Sequence, residues 1–341
     1  MKKYNIERVE NKSLLNKNFN KRNIKMNFIT PKSVGKHEAT MEKVKTLEPL
    51  KIGSADFVLE PDPLSSEMAE KAKNELNETV NVVQKGLADM RELLKGEPEL
   101  HVPDDDYFFA KFLRPCKWVA KPAFELMKRF YRFRLTHPRY CDNLTPITDR
   151  EIFLSGLITP LPVRSKDGGR LVLIEGGSKW KPKEISLDQV FRGVMLLLDA
   201  AIVEPTTQVG GVRVILDMGG LSLTHVTYFT PSFASAVLEW VQKCLPVRLK
   251  GVHIVNQPFI FNMVFAIFKP FIMEKLRKRI YFHGTDRESL FKLIDRNALP
   301  TQYGGDLKIP SEPIGEAVWE YFYHFQKEFE DAAKLGYSQK K

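Results

Sequence analysis

Cysteine is scarce in this sequence, and its three cysteines lie far apart. Cys116, Cys141 and Cys244 form no CxxC pair within the 341 residues. Neither a disulfide framework nor a zinc site is therefore predicted, and we expect each thiol to behave as a small buried hydrophobe.

Long uninterrupted apolar runs are also missing. The most apolar stretch, residues 258–273, is interrupted by Asn262 and Lys269 and falls short of the roughly 18 residues that a membrane span needs. It predicts a helix that covers an apolar interior. No apolar signal region follows Met1, so we expect a cytoplasmic protein.

The common sequence motifs of enzymes are absent as well. There is no Gly-x-Gly-x-x-Gly after a strand, no Walker loop, no Gly-x-Ser-x-Gly elbow and no HExxH helix. Asp217, at the end of a predicted strand, and the histidines His225, His253 and His283 have no nucleophile or metal partner in view. We expect structural roles for them, no cofactor, and a protein that is not an enzyme.

The positive charge is concentrated at the start of the chain. The formal charge is +10, yet residues 1–50 alone carry 12 Lys and Arg against 5 Asp and Glu. The rest is nearly balanced, which argues against a nucleic-acid partner. Residues 1–55 are predicted to be a flexible basic tail. Three interpretations of this tail stay open: a targeting peptide, an electrostatic membrane contact, or a solvated segment without a specific role.

Helical patterns and strand patterns occupy different parts of the chain. Helical spacing over 64–95, 104–113 and 122–136 predicts an all-α unit at 56–145. Apolar runs at 171–174, 212–218, 251–255 and 279–282 then alternate with helices at 187–203, 231–244 and 287–294. This alternation predicts an α/β domain at 146–310 with a mixed or parallel sheet. Aromatic residues at 316–335 predict a final amphipathic helix within 311–341.

Several segments, in this order and spacing, resemble the CRAL-TRIO lipid-binding family. They are FLR (112–114), LDMGGLS (216–222), PVRLKGVHIVNQP (246–258), FKPFIMEKLRKRIYFHG (268–284) and LPTQYGGDL (299–307). The resemblance is to the branch of α-tocopherol transfer protein, cellular retinaldehyde-binding protein, clavesin and their insect relatives. It implies a lipid cage with a sheet as its floor and a mobile gate helix at about 256–279, preceded by an all-α subdomain.

Two pairs of cations flank the apolar stretch. Arg248 and Lys250 alternate along a predicted strand, and Lys275 and Arg279 have i,i+4 helical spacing. The resemblance implies that these four cations bind the headgroup of phosphatidylinositol bisphosphate. One further arginine of the family is replaced by Cys116. We therefore add its two basic neighbours, Arg114 and Lys117.

The predicted lining of the lipid pocket comes from helix and strand faces together with the resemblance. It consists of Val194, Leu198, Val214, Leu216, Trp240, Val241, Val252, Phe259, Val264, Phe265 and Ile267. Val194 and Leu198 stand where the tocopherol transfer protein has serines. The pocket is therefore expected to be drier than in that protein.

The function predicted from the sequence is binding and transfer of a small hydrophobic lipid, such as a tocopherol, retinoid or carotenoid, with docking on phosphoinositide membranes. Two alternatives stay open: a phosphatidylinositol or phosphatidylcholine transfer protein, and a trafficking adaptor that recognises phosphoinositide. We expect a cytoplasmic monomer that associates peripherally with membranes and binds no nucleic acid.

Overall fold

The structure is a computed structural model that describes residues 35–310 and 314–338. In chain order the strands are β1 (Leu50–Ile52), β2 (Ala55–Phe57), β3 (Leu100–His101), β4 (Ile158–Leu161), β5 (Arg170–Ile174), β6 (Val212–Asp217), β7 (Leu249–Val255), β8 (Ile280–Gly284) and β9 (Gly336–Tyr337).

The helices alternate with these strands after residue 150. They are α1 (Gly35–Thr46), α2 (Ser66–Leu76), α3 (Val80–Lys95), α4 (Asp106–Leu113), α5 (Ala120–Thr136), α6 (Pro138–Cys141), α7 (Arg150–Leu154), α8 (Leu187–Ala201), α9 (Pro205–Gly210), α10 (Leu223–Val226), α11 (Pro231–Glu239), α12 (Phe261–Phe268), α13 (Glu274–Arg277), α14 (Arg287–Phe291), α15 (Gly315–Tyr323) and α16 (Gln326–Ala333). A π-helical turn, Trp240–Cys244, continues α11, and 3-10 turns lie at Arg114–Cys116 and Lys269–Phe271.

Strands β4 to β8 form one sheet in chain order. β4 is antiparallel to β5, and the remaining neighbours are parallel. The predicted α/β class with a mixed, mainly parallel sheet is thus confirmed. The sequence did not predict β4, because Pro160 argues against a strand. An edge strand tolerates proline, since its N–H need not join the ladder.

The two faces of this sheet have different neighbours. On β6, Val214 and Leu216 point to one side of the sheet, and Ile215, which lies between them, points to the other side. The first two face a cavity beneath α8, α11 and α12. Ile215 packs with Leu290 of α14 in a separate apolar cluster. Both faces are therefore covered, as a mainly parallel sheet requires.

The α2 to α5 region forms the helical unit expected at 56–145. The predicted helix over 64–95 is two helices, because Asn77 adopts a left-handed conformation (φ 59°) and ends α2. Phe109, Phe112 and Met127 are fully buried in the core of this unit. β3 pairs with β9, so the segment that follows α16 contacts the helical unit.

The prediction of a flexible tail is wrong for residues 35–55. They form α1 and the β1–β2 hairpin, in which Ile52 and the adjoining Phe57 are buried. The Phe57 ring centroid lies 5.6 Å from that of Tyr321. Strands of three residues carry too little periodicity to stand out among charged neighbours. The earlier part of the predicted tail, residues 1–34, lies outside the described residues.

The predicted C-terminal helix is divided into α15 and α16, with Phe325 between them. Its aromatic face packs on the body as expected. Phe322 stacks with Phe153 at 5.9 Å between ring centroids, and the Trp319 indole donates to the carbonyl of Pro146 at 2.9 Å.

A buried carboxylate ties the hairpin region to the sheet. Glu204, fully buried before α9, accepts hydrogen bonds from Arg170 of β5 (3.0 Å), from Thr207 and from the backbone N–H of Glu60 (2.9 Å). Arg164 forms a further ion pair with Glu204 at 2.9 Å. Burial alone would raise the pKa of Glu204, but the two guanidinium groups lower it to about 2.

We expect Glu204→Gln to lower the free energy of unfolding by about 3 kcal/mol at pH 7, because the buried Arg170 loses its nearest charge partner, whereas Arg164 keeps Glu60 at 2.6 Å. The pKa of Glu204 is depressed in the folded state, so its stabilisation is present above about pH 4.5 and is lost as the pH falls toward 2. Urea unfolding at several pH values measures this.

The matched control is Glu274→Gln, which breaks an exposed ion pair with Lys278. It should change stability by less than about 1 kcal/mol. A loss for Glu204→Gln that is equally small, or that does not shrink between pH 4.5 and 2, would contradict the structural role of Glu204.

Candidate functional site: an apolar cavity beside a basic cleft

A cavity of about 290 Å³ lies between the sheet and the helices α8, α11 and α12. Every residue of its wall is apolar, from β6 and β7 on the floor to Leu187 and Val190 of α8 and Leu276 of α13 at the sides. Such a wall cannot satisfy a polar or charged group. The cavity is therefore suited to an apolar guest.

Nine of the eleven predicted lining residues contribute to this wall. They are Val194, Leu198, Val214, Leu216, Trp240, Val241, Val252, Val264 and Phe265.

The prediction is wrong for the other two residues, Phe259 and Ile267. Phe259 precedes α12 and is 90% exposed. The α12 residues that line the cavity have the spacing i, i+3, i+4, i+7: Phe261, Val264, Phe265 and Phe268. Ile267 is outside this stripe.

Phe191, Phe229 and Phe233 close the cavity from the helical side and were not among the predicted lining residues. Phe229 and Phe233 contact Phe268 of α12 edge to face, with ring centroids 6.1 and 6.4 Å apart. Trp240 meets Phe191 of α8 in the same way at 5.3 Å. Phe229 lies in the loop before α11 and Phe233 in the first turn of that helix, so no helical periodicity marked this pair in the sequence.

The predicted gate at 256–279 consists of α12, a 3-10 turn containing Pro270, and α13. Its outer side is also apolar: Phe259 is exposed and about half of the surface of Met263 and of Met273 faces solvent. Lys269 and Lys275 are exposed beside them. The segment therefore presents apolar residues both to the cavity and to the outside.

Arg248 and Lys250 converge on one carboxylate, as their common strand face predicts. The Arg248 guanidinium binds Glu75 of α2 at 2.6 Å, and the Lys250 ammonium lies 3.5 Å from the same oxygen. Burial would raise the pKa of Glu75. Hydrogen bonds from Lys71 and Arg248 and the nearby Lys250 charge lower it to about 2.

Lys275 and Arg279 do not share a helix face, contrary to the predicted i,i+4 pair. α13 ends at Arg277, and Arg279 donates instead to the carbonyl of Leu249, at the start of β7. Lys275 is exposed near Cys116. Burial raises the pKa of this thiol, and the charges of Arg129 and Lys275 oppose the increase.

Arg114 is not a surface cation, so the structure removes it from the predicted headgroup site. Its guanidinium is buried and donates to both carboxylate oxygens of Glu78 (2.8 and 3.0 Å) and to Gln208. This contact joins the end of α2 to α9. Lys117, three residues later, is exposed in a left-handed conformation (φ 54°).

The polar groups considered as catalytic candidates have structural partners. Asp217 accepts from the hydroxyl of Tyr303 at 2.7 Å and from the N–H of Gly219 at 2.9 Å, so it caps the turn as expected. His225 contacts Ser222. His253 faces His283 at 3.1 Å between ring nitrogens. Burial, then the nearby His283, lowers the pKa of His253 to about 3, which keeps it neutral.

The three thiols are free, and Cys141 and Cys244 are buried. Among the described residues, no group of three or more His, Cys, Asp and Glu side chains could hold a metal ion. No helix in the same part of the chain is long and apolar enough to cross a membrane.

Residues 154–305 match the model of the CRAL/TRIO domain. The alpha-tocopherol transfer protein-like protein of Mus musculus is 34% identical over 252 residues, which is 72% of this chain and 73% of that protein. Clavesin-2 of Rattus norvegicus is 31% identical over 258 residues, 72% of this chain and 75% of its own. The crystal structure of Sfh5 has a TM-score of 0.33 at 16% identity and covers 49% of this chain and 66% of that one.

The fold and the site define an α/β cage around an apolar cavity, with Arg248, Lys250 and Arg279 at the start of the neighbouring strands β7 and β8. The sequence matches then identify the family. The chain belongs to the CRAL-TRIO family of lipid-binding and lipid-transfer proteins, in the branch of the alpha-tocopherol transfer protein-like proteins and clavesins.

We expect Val194→Phe to weaken the binding of an environment-sensitive apolar dye about tenfold, because the larger ring removes about 60 Å² of apolar contact at ~25 cal/mol per Å². Fluorescence titration of the full chain measures the dissociation constant.

Val80→Phe is the control, since Val80 is exposed at the start of α3. It should bind the dye as the parent protein does. Equal dye affinity in the parent and in Val194→Phe would show that the cavity is not the binding site.

Proposed function

We propose that this protein carries a small hydrophobic lipid, such as a tocopherol, retinoid or carotenoid, and exchanges it at membranes that contain phosphatidylinositol bisphosphate. The observation that supports this most directly is the wholly apolar wall of the 290 Å³ cavity. The gate segment covers this cavity. Its displacement is the step that admits or releases the lipid.

The apolar wall favours a cargo without phosphorus. A phosphodiester group inside the cavity would lose its hydration and find no hydrogen-bond donor in the wall, at a cost of several kcal/mol. A tocopherol or retinoid has a single hydroxyl or carbonyl, which makes this penalty smaller. The phosphatidylinositol or phosphatidylcholine carrier therefore remains the second candidate.

The outer side of the gate supports docking on a membrane. Phe259, Met263 and Met273 offer apolar side chains to the bilayer boundary, and Lys269 and Lys275 offer positive charge to anionic headgroups. These two contributions add in peripheral membrane binding. A membrane contact at this segment would act directly on the element that closes the cavity.

Arg248, Lys250 and Arg279 provide the donors for the bisphosphate headgroup, with Lys275 and Lys117 nearby. Glu75 holds the first two of these cations. A headgroup must therefore compete with Glu75 for Arg248 and Lys250. Its several negative charges favour it in that competition, since charge-assisted hydrogen bonds accumulate on a multivalent anion.

The proposal includes no chemical conversion of the lipid. The two named relatives are described as a transfer protein-like protein and a clavesin. Together with a peripheral mode of membrane binding, this suggests a cytoplasmic carrier and not an enzyme.

The cargo test uses native mass spectrometry of the full chain, followed by organic extraction of the bound lipid. We expect α-tocopherol or all-trans-retinol to bind at one molecule per chain after exposure to vesicles that contain it. We also expect the extract to contain no stoichiometric phosphorus. The reason is the apolar wall, which accepts an isoprenoid and excludes a phosphate.

Val194→Phe serves as the matched negative control for cavity binding. Stoichiometric phospholipid in the extract would replace the proposed cargo by the second candidate. A chain that stays empty after exposure to all of these lipids would favour the trafficking adaptor.

The docking test measures binding to phosphatidylcholine vesicles with and without phosphatidylinositol bisphosphate. Arg248→Gln and Lys275→Gln should each weaken binding to the bisphosphate vesicles about fivefold, which corresponds to about 1 kcal/mol per charge. Glu75→Gln should tighten it, because Arg248 and Lys250 lose the carboxylate that they share, and Lys250 keeps only the more distant Asp167 at 4.0 Å among the described residues.

Lys85→Gln is the control for general charge, since Lys85 is exposed on α3 and pairs with the nearby Asp89. It should change vesicle binding little. If Glu75→Gln weakens binding, or if Lys85→Gln matches Arg248→Gln, the cleft is not the headgroup site.

A further inference from the structure

A second pocket, separate from the apolar cavity, lies between the helical unit and the C-terminal helices. Its volume is about 120 Å³, and its walls come from α4, α5, the end of α8 and α16. The last turn of α8 separates the two spaces. Leu198 faces the apolar cavity, while the next two residues, Asp199 and Ala200, face the second pocket.

An incomplete ion pair lies in this pocket. One terminal nitrogen of Arg134, Nη2, binds Oδ2 of Asp199. The Nε of Arg134 and the Oδ1 of Asp199 are buried and have no hydrogen-bond partner among the described residues. A buried donor and a buried acceptor are costly when they stay unsatisfied. They point to a polar partner within the pocket.

Lys111 provides a third polar group. Its ammonium lies 3.9 Å from the ring centroid of Phe108 and 5.2 Å from that of Phe112. Within the described part of the chain it forms no ion pair. Burial lowers the pKa of Lys111 to about 7, with Asp199 raising it and Arg134 lowering it.

Two basic side chains, Lys111 and Arg134, line the pocket beside the carboxylate of Asp199. Asp105, which is not part of the wall, also acts on Lys111. Glu328 at the rim is paired with Lys43 at 2.9 Å. The remaining wall is largely apolar and includes Phe130, Tyr131, Phe325, Phe329 and Leu335. Two basic groups beside one carboxylate in an otherwise apolar wall fit a monoanion with an apolar body.

We propose that this pocket is a second ligand site, for a small organic carboxylate that carries a hydroxyl group and an apolar substituent. The carboxylate accepts hydrogen bonds from Lys111 and from the Nε of Arg134. The hydroxyl group donates to the Oδ1 of Asp199. The apolar substituent lies against Phe325 and Phe329. This site is independent of the lipid cavity and goes beyond the proposed function.

The hydroxyl group and the single charge both follow from the geometry. An unpaired carboxylate oxygen on Asp199 needs a donor, which a simple carboxylate does not have. A phosphate dianion would bring a second negative charge close to Asp199 with no additional cation. Like charges at short distance in a partly buried site are unfavourable. Lys111 and Arg134 therefore favour the hydroxycarboxylate.

The binding test uses 3-phenyllactate as the probe and isothermal titration calorimetry of the full chain. We expect 3-phenyllactate to bind with a stoichiometry of one. 3-Phenylpropionate, which lacks the hydroxyl group, and inorganic phosphate should both bind at least about tenfold more weakly, the loss expected for one hydrogen bond to a charged group.

Lys111→Met keeps the apolar stem and removes the charge, so it should reduce 3-phenyllactate affinity more than about tenfold. Lys85→Met, on the exposed surface of α3, is the matched control and should leave the affinity unchanged. Val194→Phe, in the lipid cavity, should also leave it unchanged. That variant distinguishes the second site from the first.

The pH dependence gives a measurement that needs no variant. The charged form of Lys111 binds the carboxylate, so affinity should fall about tenfold between pH 6 and pH 8, as expected for a group with a pKa of about 7. The charged or titratable groups that face Lys111 or line the same pocket are Asp105 on the α4 side, Tyr131 and Arg134 on α5, Asp199 on α8, and Glu328 on α16, which is paired with Lys43.

Absence of 3-phenyllactate binding, or equal binding of 3-phenyllactate and phosphate, would overturn the proposal. Binding that is independent of pH in the parent protein and unchanged in Lys111→Met would also overturn it. Thermal unfolding of Lys111→Met checks its fold. If that variant does not fold, the pH profile of the parent protein still decides.

Discussion

The apolar face of the central sheet is the constraint on which the rest of the structure depends. This face must be covered, and its residues are Val214, Leu216, Val252 and Ile254. The helices α8, α11 and α12 cover it without direct packing everywhere, so that a cavity of about 290 Å³ remains between them and the sheet. Leaving such a volume unfilled would cost about 7 kcal/mol at ~24 cal/mol per Å³. That is comparable to the whole stability of a typical domain. The space is therefore better explained as a ligand site than as a packing defect.

Charged groups are excluded from that cavity and form ion pairs elsewhere, within the helical unit, within the α/β domain and between the two. Arg114 binds Glu78, Arg248 binds Glu75, and Arg170 binds Glu204. Each contact joins segments that are distant in the sequence, because arginine can hold a carboxylate with several donors at once. The contact of Arg248 and Lys250 with Glu75 therefore also positions α2 beside β7.

The spacing of apolar residues predicted those strands and helices whose burial follows a regular period along the chain. The strands β5 to β8 and the helices between them follow from apolar runs, and nine lining residues follow from their faces together with the family resemblance. The errors have specific causes. Phe259 is apolar but lies two residues before α12, and Arg279 lies two residues after the end of α13, so neither side chain points in the direction that helical spacing predicted. β4 contains a proline that only an edge strand accepts.

The sequence by itself determined the fold class, the apolar wall and the presence of cations near the gate, since these depend on residue type and spacing of a few positions. The tertiary structure alone decided which cations are free. Arg248 meets Glu75 across 173 residues, and Arg134 meets Asp199 across 65. Long-range partners leave no periodic trace in the sequence, because the energy of such a contact depends on distance and burial, which only folding fixes.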